Sequence, residues 1–141
     1  MPGGAPGLAA GLRATVRAAV TGADTAEAMG SGNLPVLATP RLLALAEAAT
    51  VAAVAPNLAD GLTTVGTAAS LEHRKASPLG AEVVVEAELT EVDGRRLVFS
   101  FIARPASAED GTDADVVIGA GTVERVVVDG ARFVARAQAN P

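Results

Sequence analysis

His73 is the only histidine in the 141-residue chain and Lys75 the only lysine. There is no cysteine, tryptophan or tyrosine. Few groups are therefore left that could move a proton or attack a carbon near neutral pH. Two others draw notice by where they stand. Glu47 interrupts the apolar stretch ATPRLLALAEAATVAAVAPNL, residues 38 to 58, where an unpaired charge is costly. Thr39 stands near its start, eight residues before Glu47. On a helix that is about two turns, so the two side chains fall roughly on one face. His73 follows in SLEHRKASP, residues 70 to 78, the next polar interruption of interest.

Each of these residues has two readings. Glu47 is either a solvated or salt-bridged residue at a helix boundary, or a carboxylate held in an apolar cleft as base or nucleophile. His73 shares a strand face with Ala69 and Leu71. It is either a hydrogen-bonded core histidine or a group facing the helix that carries Glu47. Thr39 is a good N-cap, and a helix start also offers free N–H groups to an oxyanion.

The elements that must position them follow from periodicity and turn residues. MPGGAPG and the residues up to about 10 form a Gly/Pro-rich lead-in, expected to be disordered. Residues 12–20 suggest a strand or a short helix. Residues 21–35 suggest a loop or lid with one helical turn. Pro40 at the first helical position and Pro56 at the end frame a helix over about residues 40–55. It is apolar almost all round, which predicts burial on all sides. Residues 63–76 predict a strand with Val65, Thr67, Ala69, Leu71 and His73 on one face. In residues 81–92, Val83, Val85, Ala87 and Leu89 face inward. Asp93-Gly94 signals a hairpin, and Leu97, Phe99, Phe101 and Ala103 face inward on the return. Residues 105–114 form an acidic loop. A last strand is expected over 115–128, where Gly119 and Gly121 permit a bend or close approach. A short amphipathic tail follows. A curved antiparallel sheet wrapped around one long buried helix is the hotdog architecture, an α+β fold, here as one domain spanning 1–141.

Composition narrows the function. Half the residues are hydrophobic and only 2% aromatic, so the core is built from Ala, Val and Leu. Net charge is −5, which argues against nucleic acid as a partner. One histidine and no cysteine argue against a zinc site, and no metal or separate cofactor is expected. Arg13 and Arg17 break up any signal-peptide apolar region, and no run reaches the ~20 apolar residues a bilayer needs. The expectation is a cytoplasmic protein.

The sequence resembles the fluoroacetyl-CoA thioesterase family of hotdog proteins over roughly residues 30–137. The resemblance rests on ATPRLLALAEAA with Thr39 and Glu47, on APNLADGLTTVGTAASLEHRKASPLG with Gly66 and His73, on VEAELTEVDGRRLVFSF, and on GAGTVERVVVDGARF. It implies hydrolysis of a small acyl-CoA or related acyl-carrier thioester, with coenzyme A entering as part of the substrate. Glu47 would be base or carboxylate nucleophile, Thr39 would position it or the carbonyl, and His73 would assist water activation and proton transfer. Gly66 would leave room in the acyl pocket. Arg74, Lys75 and Arg125 would contact CoA near the pocket mouth. Family members of this kind are homodimers with sites at the interface. Two departures stand out. Residues 21–38 contain none of the lid aromatics that fluoroacetyl-specific members carry, which implies room for other acyl groups. Val123 stands where the family phrase has histidine. The other classes are a non-catalytic hotdog module holding an acyl thioester, and a hydratase or dehydratase. The last would pair histidine with a helical aspartate, which this helix lacks.

Overall fold

The computed structural model describes residues 7–140. Five strands, β1 (Arg13–Ala19), β2 (Leu62–His73), β3 (Glu82–Asp93), β4 (Arg96–Pro105) and β5 (Gly119–Asp129), form one antiparallel sheet in the order β1-β3-β4-β5-β2. Three helices accompany it: α1 (Ala26–Met29), α2 (Thr39–Val54) and α3 (Gly130–Ala139). The lead-in expected at 1–10 lies largely outside the described residues.

The alternating residues of β3 and β4 build the core as expected. Val83, Val85, Ala87 and Leu89 on one strand, and Leu97, Phe99, Phe101 and Ala103 on the next, are all buried against α2. Asp93 pairs with Arg96 across the two-residue loop Gly94-Arg95. Gly94 adopts φ 59°, which suits the first central position of a II′ hairpin turn. Phe99 is the largest fully buried side chain. Phe99→Ala should cost about 3–5 kcal/mol, read as a lower urea midpoint with an unchanged slope.

Three local expectations are corrected. First, α2 is not covered on all sides. Leu42, Leu45, Ala46, Ala49, Thr50, Ala53 and Val54 are buried, but Pro40, Ala44, Ala48, Val51 and Ala52 are exposed. A single chain supplies a sheet for one flank only. Second, the pairing of β2 with β5 shifts between Gly66 and Ala68, leaving Thr67 as an extra residue. Such a bulge reverses which residues face inward. Thr64, not Val65, is buried before it, while Leu71 and His73 are half-buried after it. Third, β5 begins at Gly119 rather than near 115. Gly121 is tightly opposed to the Ser70 backbone, so a Cβ there would collide with it.

The bulged strand β2 is an edge of the sheet, and residues 66–70 are exposed. Among the described residues no helix is long and apolar enough to cross a membrane.

Candidate active site

The chain makes two polar clusters rather than one. The first joins the start of α2 to the end of β2. Ala38, not Thr39, is the N-cap of α2, and it makes no side-chain cap bond. Thr39 is the first helical residue, so its hydroxyl is not used on the helix. It lies 2.8 Å from His73 Nδ1. His73 Nε2 is buried with no hydrogen-bond partner among the described residues. Burial pushes the His73 pKa below its ordinary 6.5, and the Lys75 main chain acts in the opposite sense. The ring is therefore neutral at pH 7. A neutral ring with its hydrogen on Nε2 accepts the Thr39 O–H at Nδ1. The hydroxyl is then the exposed end of this pair.

The segment before α2 borders this cluster and is tied down. Asp24 accepts from the Thr21 N–H at 2.8 Å and from Arg41 Nε at 2.8 Å. Those bonds, the Thr21 N–H foremost, hold its carboxyl below the usual range. The Ala38 N–H donates to the Asp24 carbonyl, and the Leu37 N–H to that of Ser77. Ala26, Ser31, Val36 and Leu37 of this lid face Thr39, His73, Arg74 and Lys75 across an open cavity of about 240 Å³. That is below the roughly 300–1,000 Å³ of drug-sized sites. No aromatic side chain lines it. Lys75 has no carboxylate within 4.0 Å among the described residues, whereas Arg74 is exposed and bonded to Glu72 at 3.1 Å.

The second cluster lies two turns along α2. Arg125 is 7% exposed. It donates from Nε to Thr64 Oγ1 at 2.8 Å and from Nη2 to the Thr64 carbonyl at 3.0 Å. Its remaining arm reaches Glu47 Oε2 at 3.4 Å. The expectation for Arg125 is a CoA contact at the pocket mouth. It is instead buried and fixed by Thr64, with Glu47 as its only carboxylate among the described residues. Burial lowers its pKa and Glu47 opposes that shift, so the guanidinium stays charged. Sequence reasoning missed Thr64, which the bulge turns inward.

Gly66 belongs to this second cluster. A Cβ there would lie 2.7 Å from Glu47 Oε2 and 3.4 Å from the nearest Arg125 nitrogen. The absent side chain is the space the carboxylate occupies. Because the obstructing atom ends a flexible side chain, Gly66→Ala should fold and displace Glu47 instead. The expected result is a broken Glu47–Arg125 contact with a melting temperature within a few degrees of wild type.

The expected convergence of Thr39, Glu47 and His73 is absent within one chain. Eight residues of helix separate Thr39 from Glu47 by about 12 Å, and Glu47 bonds to Arg125 instead of His73. Val123 is 1% exposed and belongs to the apolar core, so it offers neither cluster a polar group.

Residues 20–131 match the family described as fluoroacetyl-CoA-specific thioesterase. The fluoroacetyl-CoA thioesterase of Streptantibioticus cattleyicolor is 43% identical over 101 residues, covering 72% of this chain and 67% of that protein. A crystal structure of a fluoroacetyl-CoA thioesterase superposes with a TM-score of 0.82 at 35% identity, covering 96% of this chain and 98% of the other. A thioesterase-superfamily member from Thermus thermophilus gives a TM-score of 0.81 at 23% identity over 94% and 93% of the two chains, a likeness of fold. With its hotdog sheet, its match over residues 20–131 and that identity, this chain belongs to the fluoroacetyl-CoA-specific thioesterase family.

Proposed function

We propose that the protein hydrolyses a small acyl-CoA thioester to the free acid and the thiol, with coenzyme A entering as part of the substrate. The observation that carries this reading is the Thr39–His73 pair at the rim of an open cavity, formed by a neutral imidazole and an exposed hydroxyl. It stands in a chain whose relatives act on fluoroacetyl-CoA. A related enzyme is also known in complex with fluoroacetate and CoA.

The reaction consumes one water. A C–O bond forms at the acyl carbon, the C–S bond breaks, and the thiolate leaves with a proton. Glu47 supplies the carboxylate that attacks the carbonyl or takes the proton of the attacking water. Thr39, its hydroxyl donated to His73 Nδ1, orients the reacting oxygen, and the proton taken from the water goes to the departing thiolate. The free N–H groups at the start of α2 face the developing oxyanion. Lys75 is the cation left to meet CoA at the cavity, with Arg74 beside it.

These roles need Glu47 and His73 together, and a single chain keeps them apart. A homodimer resolves this if α2 and the β2 edge face a second copy, so that Glu47 of one protomer meets Thr39 and His73 of the other. The exposed apolar flank of α2 and the bare edge at residues 66–70 support that arrangement.

The test is thiol release from a panel of acyl-CoAs, from acetyl and fluoroacetyl to branched and aromatic. Turnover of small acyl groups that is lost in Glu47→Gln supports the reading. Turnover of none, with the fold intact, would leave the chain as a non-catalytic module that holds an acyl thioester. The lid without aromatics predicts weaker selection for fluoroacetyl over acetyl than a closed aromatic lid would give.

A further inference from the structure

Seven of the ten arginines, all within the described residues, are already engaged. Arg13, Arg17, Arg41, Arg74, Arg96 and Arg125 each have a carboxylate within 4.0 Å, and Arg104 donates to the Ala114 carbonyl. Arg95, Arg132 and Arg136 have no such partner among those residues, and all three line one pocket of about 130 Å³. In a chain of net charge −5, three unpaired guanidinium groups facing one space need an explanation.

The pocket is built at the end of the sheet where β5 runs into α3. Arg95 comes from the β3–β4 hairpin loop, and Arg132 and Arg136 stand one turn apart on α3. Val128, Asp129 and Phe133 complete the lining. Asp129 is the only acid there, and it accepts the Arg132 N–H at 3.1 Å as the cap of α3. Phe133 is 44% exposed, in a chain that is 2% aromatic. No residue of α3 is buried. The Arg-Phe-x-x-Arg pattern is therefore not explained by a core.

We propose that this pocket binds a phosphorylated adenosine. The guanidinium forks take the phosphate oxygens, and Phe133 gives the adenine a face to stack on. The position suits the nucleotide end of coenzyme A. Asp129 is four residues beyond Arg125 on β5, about 13 Å along the strand, so the pocket lies towards the Glu47 end. His73, which pairs with Gly119, lies about 33 Å away in the same chain. The arm between the thioester and the pyrophosphate of CoA is comparable to four or five extended residues, about 15 Å. That the nucleotide belongs to CoA rests on the acyl-CoA reading above; nucleotide binding itself does not.

The experiment is calorimetric titration of the full chain with adenosine 3′,5′-bisphosphate, with inorganic phosphate and adenosine as separate probes. Wild type, Arg132→Ala/Arg136→Ala and Phe133→Ala are compared after circular dichroism confirms their folds. The expected result is nucleotide binding that weakens about tenfold per arginine removed, weakens in Phe133→Ala, and falls with added salt. No binding, or binding indifferent to the double replacement, overturns the proposal. Phosphate binding as tight as the nucleotide overturns the adenosine assignment.

Kinetics separate the sources of the ligand. A raised KM for acyl-CoA at unchanged kcat, with no change for the same acyl group on N-acetylcysteamine, assigns the pocket to the substrate's CoA. Bisphosphate binding without that KM change assigns it to a free nucleotide. If wild type hydrolyses no thioester, the proposed activity fails while the titration still decides the pocket.

Discussion

His73→Ala should lower kcat/KM about 10²- to 10⁴-fold. The replacement removes the only imidazole in the chain, and with it the acceptor for the Thr39 hydroxyl at 2.8 Å. The pH profile separates this chemical role from a packing role. Burial lowers the His73 pKa below 6.5. The neutral, proton-accepting ring is therefore kept to lower pH than a solvent-exposed histidine would allow. Wild-type kcat/KM should hold from pH 7 down past 6.5 and fall only as the pH passes through the lowered value. An acid limb centred at or above 6.5 would show that the titrating group is not this one. Thr39→Val should reproduce part of the loss, and Thr39→Ser should restore it, because only the hydroxyl reaches Nδ1.

The same shift has a consequence for stability. In the window between the lowered folded value and 6.5, the unfolded chain binds more protons at His73 than the folded chain does. Stability therefore rises with pH across that window. The contribution is fully present above 6.5 and is lost as the pH falls to the folded value. His73→Ala should flatten the pH dependence of the urea midpoint there.

The residues that carry local chemistry are legible in the sequence itself. Thr39, Glu47 and His73 stand out because each is a polar interruption in an apolar pattern, and alternation alone places the β3 and β4 core. What stays hidden depends on longer-range facts. The bulge at Thr67 reverses the facing of β2, and no residue type announces it. It turns Thr64 inward, where Thr64 holds the buried Arg125 beside Glu47 instead of at a pocket mouth. The hydroxyl of Thr39 reads as a cap because threonine suits that place. The backbone puts Ala38 there, and Thr39 is released to His73. The apolar circumference of α2 predicts cover on all sides, but one chain of this length builds only one sheet to cover it.

That last mismatch leads to the second large effect. If Glu47 works with the Thr39–His73 pair of another protomer, two inactive variants should rescue each other. Glu47→Gln and His73→Ala should each reduce kcat about 10²-fold or more on their own. Glu47→Gln should do so with little change in stability. Its side chain is 41% exposed, the amide oxygen can still accept from Arg125, and the guanidinium keeps its two bonds to Thr64. When the two variants are mixed and allowed to exchange subunits, a mixed dimer carries one site with both residues replaced and one site with both intact. Equal mixing gives half mixed dimers, each with half its sites native, so activity should return to about a quarter of wild type. If each chain builds its own site, every site in the mixture still lacks one group and nothing returns. A chain that stays monomeric by ultracentrifugation while hydrolysing thioesters would also rule out the shared site. It would then require Glu47 to cross about 12 Å of helix within one protomer, which a side chain cannot do.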